Sequence, residues 1–75
     1  MGKNVLVIGS GGREHAIVDA LKRSPEVSRI YCAPGNAGIN QLATPVGIPV
    51  TDIDNLARFA TDACIDLTIV GPEVP

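Results

Sequence analysis

The segment Gly9-Ser10-Gly11-Gly12-Arg13-Glu14 sets glycines and an arginine directly after the apolar run Val5-Leu6-Val7-Ile8 and directly before a helical pattern. Strand, glycine turn and helix in that order prepare a site for an anion. The first amides of a helix have no partner inside it, and its N-terminus carries a partial positive charge. Glycines let a phosphate come close to those amides and reach positive φ without strain. The chemistry expected of Gly9, Gly11 and Gly12 is therefore phosphate binding.

The kind of phosphate is narrowed by what is missing. The segment satisfies G-x-G, but Glu14 stands where a dinucleotide fingerprint has its third glycine. A nicotinamide or flavin domain also grips the ribose with an acidic residue at the end of its second strand. Here that strand ends Tyr31-Cys32-Ala33-Pro34, without a carboxylate. No Gly-Lys-Ser/Thr is present, so a Walker A loop fails as well. A single phosphate at the helix mouth remains, against the plainer alternative that the glycines only allow tight strand–helix packing. Arg13, in the first turn and in line with the apolar stripe, is expected near the mouth. Its guanidinium there pairs with phosphate bidentately, or with Glu14 or a neighbouring loop. His15 falls on the opposite face close to Asp19 and reads as a surface residue.

Two further loops carry polar groups. Pro34-Gly35-Asn36-Ala37-Gly38 offers an amide side chain, either to a ligand or to its own turn. Gly71-Pro72-Glu73 offers a carboxylate, suited to two vicinal sugar hydroxyls or else solvated. Asp52, Asp54, Asp62 and Asp66 read as cap and surface residues. The pattern contains no metal-ligand cluster and no nucleophile–base pair, so no catalytic or metal residue is expected.

These loops need elements to hold them. Asn4–Ile8 reads as a central strand covered on both faces. A helix is predicted from Arg13 to about Arg23, with Ala16, Ile17, Ala20 and Leu21 on its apolar face and Ser24-Pro25 as its stop. Val27–Ala33 reads as a second strand. Ile39 to Val50 is broken by Pro45, Gly47 and Pro49 and offers at most a short edge strand at Pro45–Ile48. A second helix starts at Thr51 or Asp52, with Ile53, Leu56, Ala57, Ala60 and Cys64 as its buried stripe, and Leu67–Val70 is a last strand. Alternating strands and helices predict a doubly wound α/β unit, a parallel sheet with helices on both faces and right-handed crossovers. The loops at Gly9, Pro34 and Gly71 each follow a strand directly. All three then open on the carboxyl edge of the sheet, where such sheets bind ligands.

Composition bounds the rest. The chain has 75 residues, 45% hydrophobic and 19% charged, which fits one small globular domain over residues 1–75. A net charge of −2 with scattered basic residues disfavours nucleic acid, and Tyr31 and Phe59 as sole aromatics give no base-stacking surface. The apolar run at Val5–Ile8 is too short for a signal peptide or membrane span, and Leu6 breaks a myristoylation motif. Cys32 and Cys64 lack CxxC spacing and are expected as reduced, buried thiols in a cytoplasmic protein. The loop after Val70 has no capping element beyond it, so the chain reads as the amino-terminal portion of something longer.

Taken together, Val5-Leu6-Val7-Ile8-Gly9-Ser10-Gly11-Gly12-Arg13-Glu14-His15-Ala16, Ala33-Pro34-Gly35-Asn36-Ala37-Gly38 and Val70-Gly71-Pro72-Glu73 resemble the start of the glycinamide ribonucleotide synthetases. These phosphoribosylamine–glycine ligases belong to the ATP-grasp superfamily and serve de novo purine synthesis. The likeness spans nearly the whole chain, apart from Ile39–Val50. It implies a Rossmann-like pre-ATP-grasp domain and a reaction of glycine with 5-phosphoribosylamine that uses ATP and Mg²⁺. By motif, Gly11, Gly12 and Arg13 would meet the 5-phosphate, and Asn36 and Glu73 the sugar. The resemblance assigns ATP, Mg²⁺ and glycine activation to later domains absent from these residues, so this stretch is expected to bind and not to catalyse. The competing expectations are a dinucleotide-binding module and a free-standing sugar-phosphate-binding regulatory domain.

Overall fold

A computed structural model describes residues 2–9, 11–35 and 38–70. The elements are β1 (Lys3–Gly9), α1 (Gly12–Lys22), β2 (Val27–Pro34), a single 3₁₀ turn (Ile39–Gln41), β3 (Thr44–Pro45), α2 (Ile53–Asp62) and β4 (Leu67–Val70). They build one four-stranded sheet in the order β3-β2-β1-β4, and every pairing in it is parallel.

β1 lies inside the sheet because its sequence is apolar on both faces. Val5, Leu6 and Val7 are all buried. The strand period sends Val5 and Val7 one way and Leu6 and Ile8 the other. Val5 and Val7 pack with Val18 of α1, with Cys32 and with Ile39. Leu6 joins Ala33, Val46 and Leu56 of α2, with Ile8, Tyr31 and Phe59 against them. One helix therefore covers each face, as in a doubly wound sheet. Tyr31 and Phe59 meet edge to face, with ring centroids 5.2 Å apart.

The helix faces differ in detail from the sequence expectation. In α1 it is Glu14 and Val18 that are buried, with Ile17 and Leu21 partly so, while Ala16 and Ala20 are exposed. Alanines add little to an apolar stripe, so the larger Val18 sets its phase. Asp19 pairs with Arg23 at 3.0 Å, one turn on, rather than with His15. In α2 only Leu56 is buried; Ile53 is 72% exposed, and Ala57 and Cys64 are exposed too. Ile53 and Leu56 instead line an apolar groove of about 370 Å³ beside β4, with Val50 and Val70. The expectation of two buried thiols holds for Cys32 and fails for Cys64. The edge strand forms at Thr44–Pro45, one residue before the expected start; Val46 donates its N–H to the Cys32 carbonyl at 2.9 Å and fills the α2-side core.

Cys64 is exposed because it sits in the turn that ends α2. Its φ is +54°, its N–H reaches the carbonyl of Thr61, and the N–H of Ile65 reaches that of Ala60. That pair of bonds is a Schellman closure, in which the left-handed position is usually glycine. Asn4, at the start of β1, donates through Nδ2 to the carbonyls of Ala63 and Cys64, and its backbone exchanges hydrogen bonds of 2.8 Å with Asp66. These contacts fix where β4 starts alongside β1.

Candidate functional site

The register of the parallel strands sets where the loops emerge. Gly9 lies opposite Pro34, and Ile8 lies opposite Val70. Three strand ends are thus level on the carboxyl edge of the sheet. Gly9 and Arg13 are described at this edge. Asn36 and Glu73 lie outside the described residues, as does Ser10.

The glycine turn divides into parts with different duties. Gly9 has φ +142°, and a Cβ built there would stand 2.5 Å from Cγ of Glu14. Both facts require glycine for the fold itself. The Gly9 carbonyl accepts the Cys32 thiol at 3.3 Å and the Gly35 N–H at 3.4 Å, which joins the first turn to β2 and to the turn after it. Gly11 is the N-cap of α1, in extended backbone, and its carbonyl accepts from His15 N–H at 3.1 Å. Gly12 is the first helical residue, and a Cβ there would meet nothing within 4 Å. Gly12 faces open space.

Glu14 explains the crowding at Gly9. Its side chain is 3% exposed, and its Oε1 accepts the Gly11 N–H at 2.7 Å. This is the reaching-back half of a capping box, with the carboxylate placed at the positive end of α1. In sequence pattern Glu14 stands only where a third glycine is missing and as a partner for Arg13. The spacing Gly11-x-x-Glu14 carried the signal, hidden because a glycine cap has no side chain to complete the usual motif.

The amides of Gly12, Arg13 and Glu14 have no hydrogen-bond partner among the described residues, as expected for the first turn of a helix. Arg13 is exposed beside them. Behind this turn, burial and the Glu14 charge push the Cys32 thiol above its ordinary value of 9.0. Burial is the larger cause. Cys32 is thus a neutral hydrogen-bond donor at physiological pH and not a nucleophile. Among the described residues, no group of three His, Cys, Asp or Glu side chains is placed to hold a metal ion. No described helix is long and apolar enough to cross a membrane.

A level edge of three strand ends, with an open glycine at the mouth of the first helix, is a fold-level arrangement shared by many proteins. The decision comes from comparison with known families: the family described as phosphoribosylglycinamide synthetase, N domain, matches residues 3–75. The chain belongs to this family. Curated relatives agree. It is 62% identical over 71 residues to the phosphoribosylamine–glycine ligase of Caldanaerobacter subterraneus, covering 95% of this chain and 17% of that protein. The enzyme of the same name from Halalkalibacterium halodurans is 56% identical over 72 residues, 96% of this chain and 17% of the relative. That of Vibrio cholerae is 53% identical over 73 residues, 95% and 17% respectively. The chain therefore spans about a sixth of the length of these relatives, at 17% of each. As a phosphoribosylglycinamide synthetase N domain it has the parallel sheet with a helix on each face that its sequence predicts.

Proposed function

We propose that residues 1–75 are the phosphoribosylamine-binding part of a cytoplasmic ligase that joins glycine to 5-phosphoribosylamine in de novo purine synthesis. The reaction consumes ATP. Its γ-phosphoryl group passes to the glycine carboxylate as ADP leaves, the amine of phosphoribosylamine attacks the acyl phosphate, and inorganic phosphate departs as the amide forms. The residues described here do not form a metal site. We assign ATP, Mg²⁺ and glycine to the parts of the ligase outside this chain.

The observation that carries the reading is Gly12: it opens the first turn of α1, where the amides have no partner among the described residues, and a Cβ there would meet nothing within 4 Å. A glycine demanded by neither φ nor packing is explained by something that comes close to it. The 5-phosphate is that group, with Gly11, Gly12 and Arg13 around it and the charge of α1 behind it. Asn36 and Glu73, on the loops after β2 and β4, take the sugar. The test is Gly12→Val in the full-length ligase. The KM for phosphoribosylamine rises by about tenfold or more while the KM for ATP stays within about twofold, the mark of lost binding at one substrate only. Equal losses for both substrates, or none, contradict the assignment.

A further inference from the structure

Resting on that reading, we propose that Glu14 is the positioning residue of the phosphoryl seat and sets which turn amides are left for the ligand. Its carboxylate is almost wholly buried, yet it belongs to no ion pair among the described residues; the Gly11 N–H donates to its Oε1 at 2.7 Å. A buried carboxylate is costly to desolvate, so it persists where a hydrogen bond and a favourable field repay the burial. Both are present, since Oε1 takes an amide at the positive end of α1. The bond fixes the Gly11 peptide with its N–H directed inward. The amides of Gly12, Arg13 and Glu14 remain for an outer ligand.

The same side chain fills the junction between β1 and α1. A Cβ at Gly9 would lie 2.5 Å from Glu14 Cγ and 2.6 Å from Cδ, and a Cβ at Gly11 would lie 3.0 Å from Oε1. In a dinucleotide fingerprint the corresponding position is glycine, which lets the helix pack against the strand. Here the roles are exchanged: Gly9 gives up its side chain to make room for that of Glu14. The buried charge beneath the turn leaves one outward row of amides. A single phosphoryl group is suited to that row. A diphosphate, which spreads its charge along the turn, comes closer to the carboxylate.

The test uses the full-length ligase with Glu14→Ala, Glu14→Leu and Glu14→Gln, beside Gly12→Val. Leucine keeps the bulk under Gly9 without an acceptor, so it serves if the alanine variant does not fold. Glutamine keeps an oxygen that accepts the Gly11 N–H. Glu14→Ala and Glu14→Leu are expected to raise the KM for phosphoribosylamine by about tenfold and leave the KM for ATP within about twofold. Glu14→Gln is expected to recover it to within about threefold of wild type. A merely structural role would lower the melting temperature of the leucine variant and leave KM unmoved. Unchanged KM in the leucine variant, or a glutamine variant as impaired as leucine, overturns the proposal. If Gly12→Val raises KM and the Glu14 variants do not, the phosphoryl seat stands and the role of Glu14 falls. If Gly12→Val has no effect, the seat itself is wrong.

Discussion

The Cys32 thiol donates to the carbonyl of Gly9 across 3.3 Å, from the middle of the sheet to the first residue of the glycine turn. Gly9 closes β1, Cys32 lies on the neighbouring strand β2, and Gly35 N–H meets the same carbonyl from beyond the end of β2. One oxygen thus holds together the two turns that emerge beside α1. The donor must stay protonated for this bond to exist. Burial, helped by the nearby Glu14 charge, keeps it so.

This gives stability a pH dependence of known sign. The folded-state value of Cys32 lies above the ordinary 9.0, so the fold holds the proton more tightly than the unfolded chain does. The resulting stabilisation is complete below that ordinary value and is lost as pH rises through the folded one. Cys32→Ala is expected to cost about 1–2 kcal/mol near neutrality, from the lost contact and an acceptor left with a weaker partner. The gap between wild type and variant should narrow as pH rises beyond 9.0. Chemical denaturation at stepped pH measures it; a gap that is constant or widens contradicts the argument. Thiol labelling of the native protein should modify Cys64 and spare Cys32, since one is exposed and the other buried.

The glycines separate fold from binding. Gly9→Ala forces a side chain into φ +142° and into the carbon atoms of Glu14, and a loss of about 2–4 kcal/mol is expected, as for strain combined with overpacking. Gly12→Ala meets nothing and replaces a helical glycine by a better helix former, so stability should hold or rise by up to about 1 kcal/mol. Denaturation curves for the two variants decide it. A Gly12→Ala variant as unstable as Gly9→Ala would show that the open space at the helix mouth is filled.

Sequence pattern made the sheet legible because β1 is apolar at consecutive positions and glycine or proline marks the turns after β1, α1 and β2; the α2–β4 turn, closed by Cys64, carries neither. The phase of each helix was less so. In α1 the spacing predicts Ala16 and Ala20 in the core, but small side chains exert little pull beside Val18, which is buried. In α2 the stripe itself was correct in spacing, yet Ile53 and Ala57 find no covering element among the described residues. Periodicity shows which residues share a face and is silent on whether anything packs there. The Glu14 cap escaped because its partner is a backbone amide of glycine. Of the candidate site, Gly9, Gly11, Gly12 and Arg13 are described together at one edge, whereas Asn36 and Glu73 fall outside the described residues.

Helix α2 offers a prediction at its start. Asp52 accepts from the backbone of Asn55 at 3.4 Å and from its Nδ2 at 2.7 Å, an N-cap of the usual kind. Asp52→Ala should therefore destabilise by about 1 kcal/mol, and Asp52→Asn or Asp52→Ser by less, because each keeps an acceptor oxygen. Equal losses for all three would show that charge at the helix end, not the hydrogen bond, is the larger effect.

The other end of α2 carries the opposite expectation, a substitution that stabilises. Cys64 occupies the left-handed position of the Schellman closure at φ +54°, where a Cβ crowds the backbone by about 1 kcal/mol. Its side chain is exposed, so nothing in the core is lost by removing it. Glycine relieves the crowding but gives the unfolded chain more freedom, which offsets part of the gain. The net for Cys64→Gly should be a rise of up to about 1 kcal/mol. Cys64→Ala keeps the Cβ and the strain and should be neutral within about 0.5 kcal/mol, as for other exposed substitutions. Comparing the two by denaturation isolates the backbone effect from the loss of the thiol. If alanine stabilised as much as glycine, the thiol and not the left-handed backbone would be the source of the strain.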